Sequence, residues 1–380
     1  MQEEIIDTVR TFTSIEAVAE AWQDLAVTTR AAPFLWPGWI TAWRDAFAPR
    51  DPVTVVTVWR DDRLVALLPL LGEGACLASP TNDQTPLFGP LASDEEAAVR
   101  LVDAVVAQRP GRLRLGYLDP DIASTAHAIT ALRARGYRAL TEQTLRAPFT
   151  DVAGAWDDFA KRLGKKRRAE LRRSERRLRE QGDLQVQVHA GGSDLDAVLD
   201  EGFRVEAAGW KGREGTAITS TATMREFYTS VAHWAAAHGL LHLVFLRLDG
   251  RAIAFEFILR HDGVLYDVKG GYDEDYRTWG PGIWLMQRIL QQAFADDTRF
   301  VEWLGTDDGY KLEWSDGTRQ HVTSIWLAPT VRGRTEYHTR HLWRTSRRRA
   351  NDALRERLPE ATIERLKDAK NGAMALRSRG

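Results

Sequence analysis

Apolar positions are dense between residues 241 and 271 of the chain. Three runs rich in β-branched and aromatic residues are separated there by Asp249-Gly250 and Asp262-Gly263. Asp-Gly is the dipeptide that two-residue hairpin turns favour. The sequence therefore predicts a three-stranded antiparallel meander at 241–248, 251–260 and 264–271.

Helical spacing and strand-like alternation divide most of the remaining chain. In the first half we predict helices at 14–30, 38–47, 93–108 and 122–135, and strands at 53–60, 63–71, 112–118 and 137–147. In the second half we predict a strand at 183–190, helices at 194–208, 221–238 and 282–295, and strands at 299–305 and 322–328. Between the halves, the apolar positions Phe159, Leu163, Leu171 and Leu178 predict one long helix that ends at Gly182.

The two halves repeat an order of helices, hairpin, loop, helix and strand, without a repeat of individual residues. We therefore predict a mixed α/β (α+β) fold of two tandem domains with mostly antiparallel sheets flanked by helices. The predicted units are residues 1–150, a linker helix at 151–182, a second domain at 183–330 and a basic helical tail at 331–380.

Charge is distributed unevenly along the 380 residues, although the net charge is only -1. Residues 161–179 contain eleven Lys or Arg against two Glu, and residues 331–380 contain fourteen against six acidic residues. Two interpretations fit: a basic face for an anionic partner, or solvated helices beside an acidic body. The single cysteine, Cys76, excludes an internal disulfide, and with no apolar run of membrane-spanning length we expect a cytoplasmic protein.

The stretch RTWGPGIW, residues 277–284, stands immediately before a predicted helix. A helix N-terminus exposes unpaired N–H groups, and glycines let backbone donors approach an anion without a Cβ in the way. The stretch has neither Rossmann glycine spacing nor the Lys-Ser/Thr of a P-loop. The alternative is a turn in which proline starts the helix. The candidate anion-binding residues are Arg277, Thr278, Trp279, Gly280, Pro281 and Gly282.

A meander followed by R-x-x-G-x-G, a helix and a strand resembles the acetyl-CoA-binding core of the GNAT acyltransferases. Other segments resemble the branch of tandem GNAT proteins near FemAB-type peptidyltransferases and CelD-like or BcsL-like proteins: FLWPGWITAWRDAF, KKRRAELRRSERRL, EAAGWKGREGTAI, KGGYDEDYRTWGPG and GTDDGYKLEWSD. The resemblance implies an acyl-CoA co-substrate, with acyl-carrier protein or aminoacyl-tRNA as the other donor carriers in this branch. The first half has no R-x-x-G-x-G, so we expect one donor site, in the second half, and a degenerate first half that shapes the acceptor cleft.

Acyl transfer to an amine requires a base for the ammonium proton and an acid for the leaving thiolate. By resemblance, Tyr310 is the candidate acid, and Asp307 or Asp308 could hold or deprotonate the amine. Glu256 interrupts a strand that is apolar on both faces, which makes it a candidate base with a raised pKa. The alternatives are a capping aromatic for Tyr310, turn residues for the aspartates, and an ion pair with Lys269 or Arg260 for Glu256.

Other residues are candidates for the acceptor or donor cleft because of their positions in loops and strand ends. They are Asn82, Asp83, Trp210, Lys269, Tyr272, Asp273 and Lys311. Metal chemistry is not predicted, because Gly239 separates His238 from His242 and ends the helix between them.

The sequence thus predicts an N-acyltransferase that moves an acyl group to an amine of a small molecule, sugar or peptide by direct attack in a ternary complex. The first alternative is a FemAB-like transferase that uses aminoacyl-tRNA, with the basic helix as its nucleic-acid face. The second is a degenerate tandem protein that only binds ligands.

Overall fold

The computed structural model describes residues 7–72, 74–307 and 309–357, with the side chains of 348–357 excepted. The first half contains β1 (Asp7–Phe12), α1 (Ala19–Thr28), α2 (Pro37–Phe47), β2 (Val53–Arg60), β3 (Arg63–Leu71), β4 (Cys76–Ala78), β5 (Leu91–Ala92), α3 (Glu95–Ala107), β6 (Arg112–Leu118), α4 (Ala123–Ala134) and β7 (Arg138–Asp151). The second half contains α5 (Trp156–Arg162), α6 (Lys165–Arg179), β8 (Leu184–His189), α7 (Leu195–Ala207), α8 (Trp210–Glu214), α9 (Ala222–Ala237), β9 (Leu241–Leu248), β10 (Arg251–His261), β11 (Val264–Tyr272), α10 (Pro281–Ala293), β12 (Phe300–Glu302), α11 (Gly309–Leu312), β13 (Gly317–Leu327) and α12 (Val331–Arg357).

The predicted meander is confirmed as β9, β10 and β11, which pair in sequence and antiparallel. Asp249 and Asp262 both have positive φ, as two-residue hairpin turns of this kind require. The mixed α/β fold flanked by helices is also confirmed. All the strands join one sheet, in the order β1-β2-β3-β4-β6-β13-β7-β12-β11-β10-β9-β8, with β5 paired to β3 beside that path.

The prediction of a single long basic helix is wrong. Leu163 and Gly164 both have extended backbone, with ψ of 132° and 151°, and they separate α5 from α6. The helix α6 ends at Arg179 rather than Gly182. The first predicted helix also begins later than expected, because a 3₁₀ turn at Glu16–Val18 precedes α1.

The last strands of the two halves are exchanged at the centre of the sheet. Strand β13 of the second half pairs antiparallel with β6 of the first, and β7 of the first half pairs antiparallel with β12 of the second. The two exchanged strands pair with each other along their length, from Gly317–Phe149 to Leu327–Arg138. This pairing explains why β13 begins at Gly317, five residues before the predicted start.

The two faces of the second-half sheet are buried by different layers. Phe255, Phe257 and Leu259 of β10 face α7 and α9, whereas Ala254 and Ile258 face α10 and α6. Helix α10 covers its face with Trp284, Leu285, Ile289 and Leu290, which are all buried. Among the described residues, no helix is both long enough and apolar enough to cross a bilayer.

A gap opens in the sheet between β11 and β12. The two parallel strands pair only from Val264–Phe300 to Tyr266–Glu302. A bulge at Val268 shifts the β10–β11 register between Phe257 and Ile258, at the point where β11 leaves β12. The edge of β11 from residue 267 to 272 therefore faces an opening at the carboxyl ends of both strands, which is why β12 is shorter than the predicted 299–305.

Candidate active site

The segment 277–282, the donor loop, joins the sheet gap to the start of α10. Residues Glu274–Trp279 form a 3₁₀ turn, Gly280 has a φ of +68°, and α10 begins at Pro281. Glycine suits this left-handed position because it has no Cβ to oppose it. The first helical hydrogen bond is donated by Trp284 N to Gly280 O, so the N–H groups of Gly282 and Ile283 precede the helical ladder. This arrangement can bind an anion.

The basic helix α6 holds the donor loop from one side. The buried Ser174 hydroxyl lies 2.5 Å from Trp279 O and 2.9 Å from Gly280 O, and Arg177 donates to Thr278 O at 2.9 Å. Three consecutive carbonyls of the loop are thus bound by α6. Its arginines are partly structural, and they sit beside the place where an anion would bind.

Arg277, the predicted cation of the donor loop, is exposed, and its Nη1 lies 3.5 Å from Glu274 O. Tyr272 packs beneath the loop, because a Cβ on Gly282 would come within 2.8 Å of the Tyr272 ring. Asp273 is buried, accepts a hydrogen bond from Asp275 N at 3.2 Å and pairs with Arg251 at 3.1 Å. The geometry gives Tyr272 and Asp273 the role of supporting the loop.

Glu256 and Asp267 form a pair of buried carboxyls beside the gap. Glu256 lies opposite Gly270 on β11, and the bulge at Val268 brings Asp267 to the same sheet face, which α10 covers. Burial, followed by the charge of Asp267, raises the pKa of Glu256 well above its usual value. Burial also raises the pKa of Asp267. Two such carboxyls share a proton more readily than they carry two charges.

Neither ion pair considered for Glu256 forms. Lys269 lies opposite Phe257 and therefore on the other sheet face, while Arg260 pairs with Asp296 at 3.2 Å. The positive charges that oppose the raised pKa of Glu256 are those of Lys211 and Lys311. Lys311 Nζ donates to the carbonyls of Trp303 and Leu304, at 3.1 Å and 2.9 Å, just after β12.

The other predicted chemical groups after β12 are more exposed. Tyr310 is about half exposed, at 49%, and its ring centroid lies 5.9 Å from Lys311 Nζ. Asp307 pairs with Arg146 of β7 at 3.0 Å. Asp308 lies outside the described residues.

On the opposite sheet face, residues from both halves surround Lys269. Burial, and next the charge of Lys211, lowers the pKa of Lys269 to about 8, whereas Glu206 and Asp83 oppose that change. The Lys269 ammonium lies 5.8 Å from the ring centroid of Tyr228, whose hydroxyl donates to Gln84 at 2.9 Å. The first-half loop that carries Asp83 therefore reaches the second-half sheet.

Asn82 and Trp210 take different places around this face. The Asn82 side chain accepts hydrogen bonds from Trp43 Nε1 and Gln84 N, which makes it a support of the loop. Trp210 begins α8 and is 45% exposed, and the adjacent Lys211 donates to Gly270 O at 2.5 Å.

The helix of the first half that corresponds to α10 in chain order has a different N-terminus. Asp94 caps α3 by accepting a hydrogen bond from Ala97 N at 2.8 Å, and Glu95 and Glu96 follow in the first turn. Arg60 pairs with Asp94 at 2.9 Å. A carboxylate thus occupies the position that an anionic donor would need, which supports the expectation of a single donor site.

Comparison with known proteins agrees with this geometry. Residues 165–312, from the start of α6 to the end of α11, match the family described as an acetyltransferase (GNAT) domain. This segment of the chain is a GNAT acetyltransferase domain. The matched segment contains the donor loop, the carboxyl pair and the gap, whereas no curated protein matches the chain significantly.

Two solved structures share the fold of this chain over most of its length. FemX has a TM-score of 0.55 at 10% identity, covering 84% of this chain and 98% of its own. The C-terminal domain of a protein named as a lysylphosphatidylglycerol synthetase from Agrobacterium fabrum has a TM-score of 0.53 at 13% identity, covering 86% and 95%. Both likenesses extend beyond the GNAT segment into the first half.

Two residues of the candidate site, Asp267 and Ser174, were not predicted from the sequence. Asp267 interrupts the apolar alternation of VLYDVKGG, which is the same signal that singled out Glu256 one strand earlier. Ser174 is one serine in a run of charges, and only the packing of α6 on the donor loop shows its role. Among the described residues, no group of three or more His, Cys, Asp or Glu side chains is arranged to hold a metal ion.

Proposed function

We propose that this acyltransferase moves an acyl group from an acyl-CoA thioester to an amine of a small molecule, sugar or peptide. The observation that carries the proposal is the donor loop, a glycine-rich helix start fixed by α6 at the mouth of the sheet gap. Gly280 and Gly282 let Ser174 and the Tyr272 ring pack closely against this helix start, and the exposed Arg277 adds a cation beside its unpaired N–H groups.

The gap between β11 and β12 suits the extended arm of such a donor. From residue 267 onward, β11 pairs with no described strand on its β12 side, so its backbone groups other than Gly270 O, which Lys211 binds, could pair with an extended ligand. A bound acyl-CoA would supply an activated thioester carbonyl there. Lys269, Asp83 and Trp210, on the face away from α10, would contact the acceptor.

Transfer then needs two proton movements. The amine nitrogen bonds to the acyl carbon as the carbon–sulfur bond breaks, the ammonium loses a proton, and the thiolate gains one. We assign the first proton to the carboxyl pair Glu256–Asp267, whose shared site can hold and exchange it. Tyr310 is our candidate to protonate the thiolate, and Asp307 our candidate to orient the amine.

Calorimetric titration with acetyl-CoA and longer acyl-CoAs tests the proposal. We expect micromolar binding that weakens roughly 10- to 100-fold in Arg277→Ala, because a hydrogen bond to a charged group contributes about 1.5–3 kcal/mol. Arg100→Ala, on an exposed position of α3, is the matched control and should bind normally. Absence of acyl-CoA binding to the folded wild type would overturn the proposal.

A second candidate function is supported by the position of α6. Lys165, Lys166, Arg172 and Arg173 are exposed on the helix that holds the donor loop, so a polyanionic carrier such as aminoacyl-tRNA could extend along it. Binding of bulk tRNA with a steep salt dependence, reduced when Arg172 and Arg173 are both changed to Gln, together with no response to acyl-CoA, would favour this candidate.

A further inference from the structure

A cavity of about 410 Å³ lies at the junction of the two halves, outside the donor loop. Tyr266, Glu302, Arg319 and His321 from β11, β12 and β13 line one side of this junction cavity. The other side is lined by the segment after α1 and by the residues that lead into α4. Tyr266 packs edge-on against Phe34, which places the cavity on the sheet face opposite α10.

The inner part of the junction cavity has an excess of negative charge. Glu302 and Asp119 are 6% and 4% exposed, and Arg319 Nε donates to Glu302 at 2.7 Å. Among the described residues, His321 is the one basic side chain within 4.0 Å of the Asp119 carboxylate, with Nε2 at 3.9 Å. Burial lowers the pKa of His321, which keeps the imidazole neutral near pH 7. Two buried carboxylates thus share one permanent cation.

The two carboxylates also repel each other across the cavity. Burial raises the pKa of Glu302, and the charge of Asp119 adds to that rise against the opposing charge of Arg319. The repulsion between two like charges in a buried site is reduced when a cation lies between them. A primary ammonium group is a cation of the right kind, since its three donors can satisfy both carboxylates.

The rim of the same cavity has the opposite charge. Arg30 and Arg299 both line it, against the single acid Asp262. Arg299 bonds Asp262 at 2.6 Å, whereas Arg30 Nε lies 4.0 Å from Asp262 and its side chain is 72% exposed. The Arg30 guanidinium is therefore available to an anionic group that enters from the solvent.

We infer that the junction cavity binds a small zwitterion of the amino-acid class, with its ammonium between Asp119 and Glu302 and its carboxylate at Arg30. The volume is within the range of about 300–1,000 Å³ typical of small-molecule sites. Phe34, Tyr266 and Phe300 supply apolar and aromatic surface for the side chain of the ligand. A purely anionic ligand is disfavoured by the buried carboxylates.

This inference does not depend on the proposed acyl transfer, because it concerns binding of a ligand to the protein without a thioester. Tyr266 and Glu302 are the last paired residues of β11 and β12, so the occupant lies next to the gap. Failure of acyl-CoA binding would leave the amino-acid site standing, and the reverse also holds.

Calorimetry on the wild-type protein with each of the twenty common L-amino acids is the first test. We expect at least one to bind, with affinity falling at least tenfold for its N-acetyl derivative, which lacks the ammonium. The carboxamide of the same amino acid, which lacks the carboxylate, should bind several-fold more weakly. No binding by any of the twenty, or equal binding by the N-acetyl derivative, would overturn the inference.

Substitutions within the cavity are the second test. Asp119→Asn and Glu302→Gln should each weaken binding of that amino acid at least tenfold, whereas Asp103→Asn, in a surface pair with Arg135, should not. Arg30 has a φ of +52°, so Arg30→Asn, which tolerates this conformation, should abolish the preference for the amino acid over its carboxamide. If Glu302→Gln does not fold, Asp119→Asn decides, and unchanged affinity in that variant contradicts the inference.

Discussion

Gly270 lies directly opposite Glu256 on the neighbouring strand, and a Cβ on residue 270 would overlap Oε2 of Glu256. The buried carboxyl thus occupies the volume that a side chain at residue 270 would need. Gly271, the next residue, is in turn packed against Glu206 of α7. The two glycines of KGGYD therefore allow two acidic residues to be buried, one on each face of β11.

The first prediction follows from this contact. Gly270→Ala should lower the free energy of unfolding by about 1–3 kcal/mol, as overpacking of a core usually does. Urea denaturation measures the change. Gly309→Ala is the control, because a Cβ there meets no atom within 4 Å.

A double-mutant cycle identifies the cause of that destabilisation. In a protein that also carries Glu256→Ala, Gly270→Ala should lower the free energy of unfolding much less, because the overlapping carboxyl is absent. Additive costs in the double variant would show that the strain arises elsewhere in β11.

The second prediction concerns the pH dependence of stability. The pKa of Glu256 is raised by burial and then by Asp267, so the folded protein binds more protons than the unfolded chain above about pH 4. The free energy of unfolding therefore falls as the pH rises from about 4 towards the raised pKa of the folded state. Glu256→Gln should lose less stability than the wild type between pH 5 and 8.

Denaturation midpoints at several pH values test this difference. Each unit by which folding raises the pKa of the Glu256 carboxyl corresponds to about 1.4 kcal/mol in the free energy of unfolding. Glu142→Gln, at an exposed position of β7, should leave the pH profile parallel to that of the wild type. A parallel profile for Glu256→Gln would exclude a strongly raised pKa at residue 256.

The third prediction is that Lys269 titrates at about pH 8, since burial and then Lys211 lower its pKa. The unfolded chain binds more protons than the folded protein above this pH, so Lys269 adds stability as the pH rises from about 8 to 10.4. Mass spectrometry after brief acetic anhydride treatment at several pH values gives the titration. Asp83→Asn should lower the pKa of Lys269 further, because Asp83 favours the charged amine. If the acetylation profile of Lys269 is unchanged in Asp83→Asn, the charge of the first-half loop does not influence the pKa of Lys269.

Much of the fold could be predicted from local patterns. Apolar runs separated by Asp-Gly turns predict β9, β10 and β11, and the predicted strand at Arg112–Leu118 has the same bounds in the structure. The exchange of β7 and β13 could not be predicted, because the order of elements along each half is the same with or without the exchange. Pairing partners at the centre of a sheet depend on contacts far apart in sequence, such as Gly317 with Phe149.

The candidate site also contains some features that local sequence predicts and others that depend on three-dimensional contacts. The donor loop was visible because glycine, proline and arginine at a helix start have local conformational and chemical meaning. The break at Leu163-Gly164 has no such local signal, because helical apolar spacing continues across it. The role of Tyr272 and Asp273 as supports also needed three-dimensional contacts, since loop position alone is compatible with ligand binding.

The fourth prediction concerns the contact between α6 and the donor loop. Ser174→Ala keeps a strong helix former in α6 but removes the hydroxyl that bonds Trp279 O and Gly280 O. Gly280 O still accepts from Trp284 N, whereas Trp279 O loses its bond to α6. We expect a loss of about 1–3 kcal/mol in stability and a several-fold loss of acyl-CoA affinity, because the loop is less well fixed. Thr130→Ala, which removes an exposed hydroxyl bonded within α4, is the matched control for both urea denaturation and calorimetry. If Ser174→Ala loses stability but binds acyl-CoA like the wild type, α6 supports the fold without shaping the donor site.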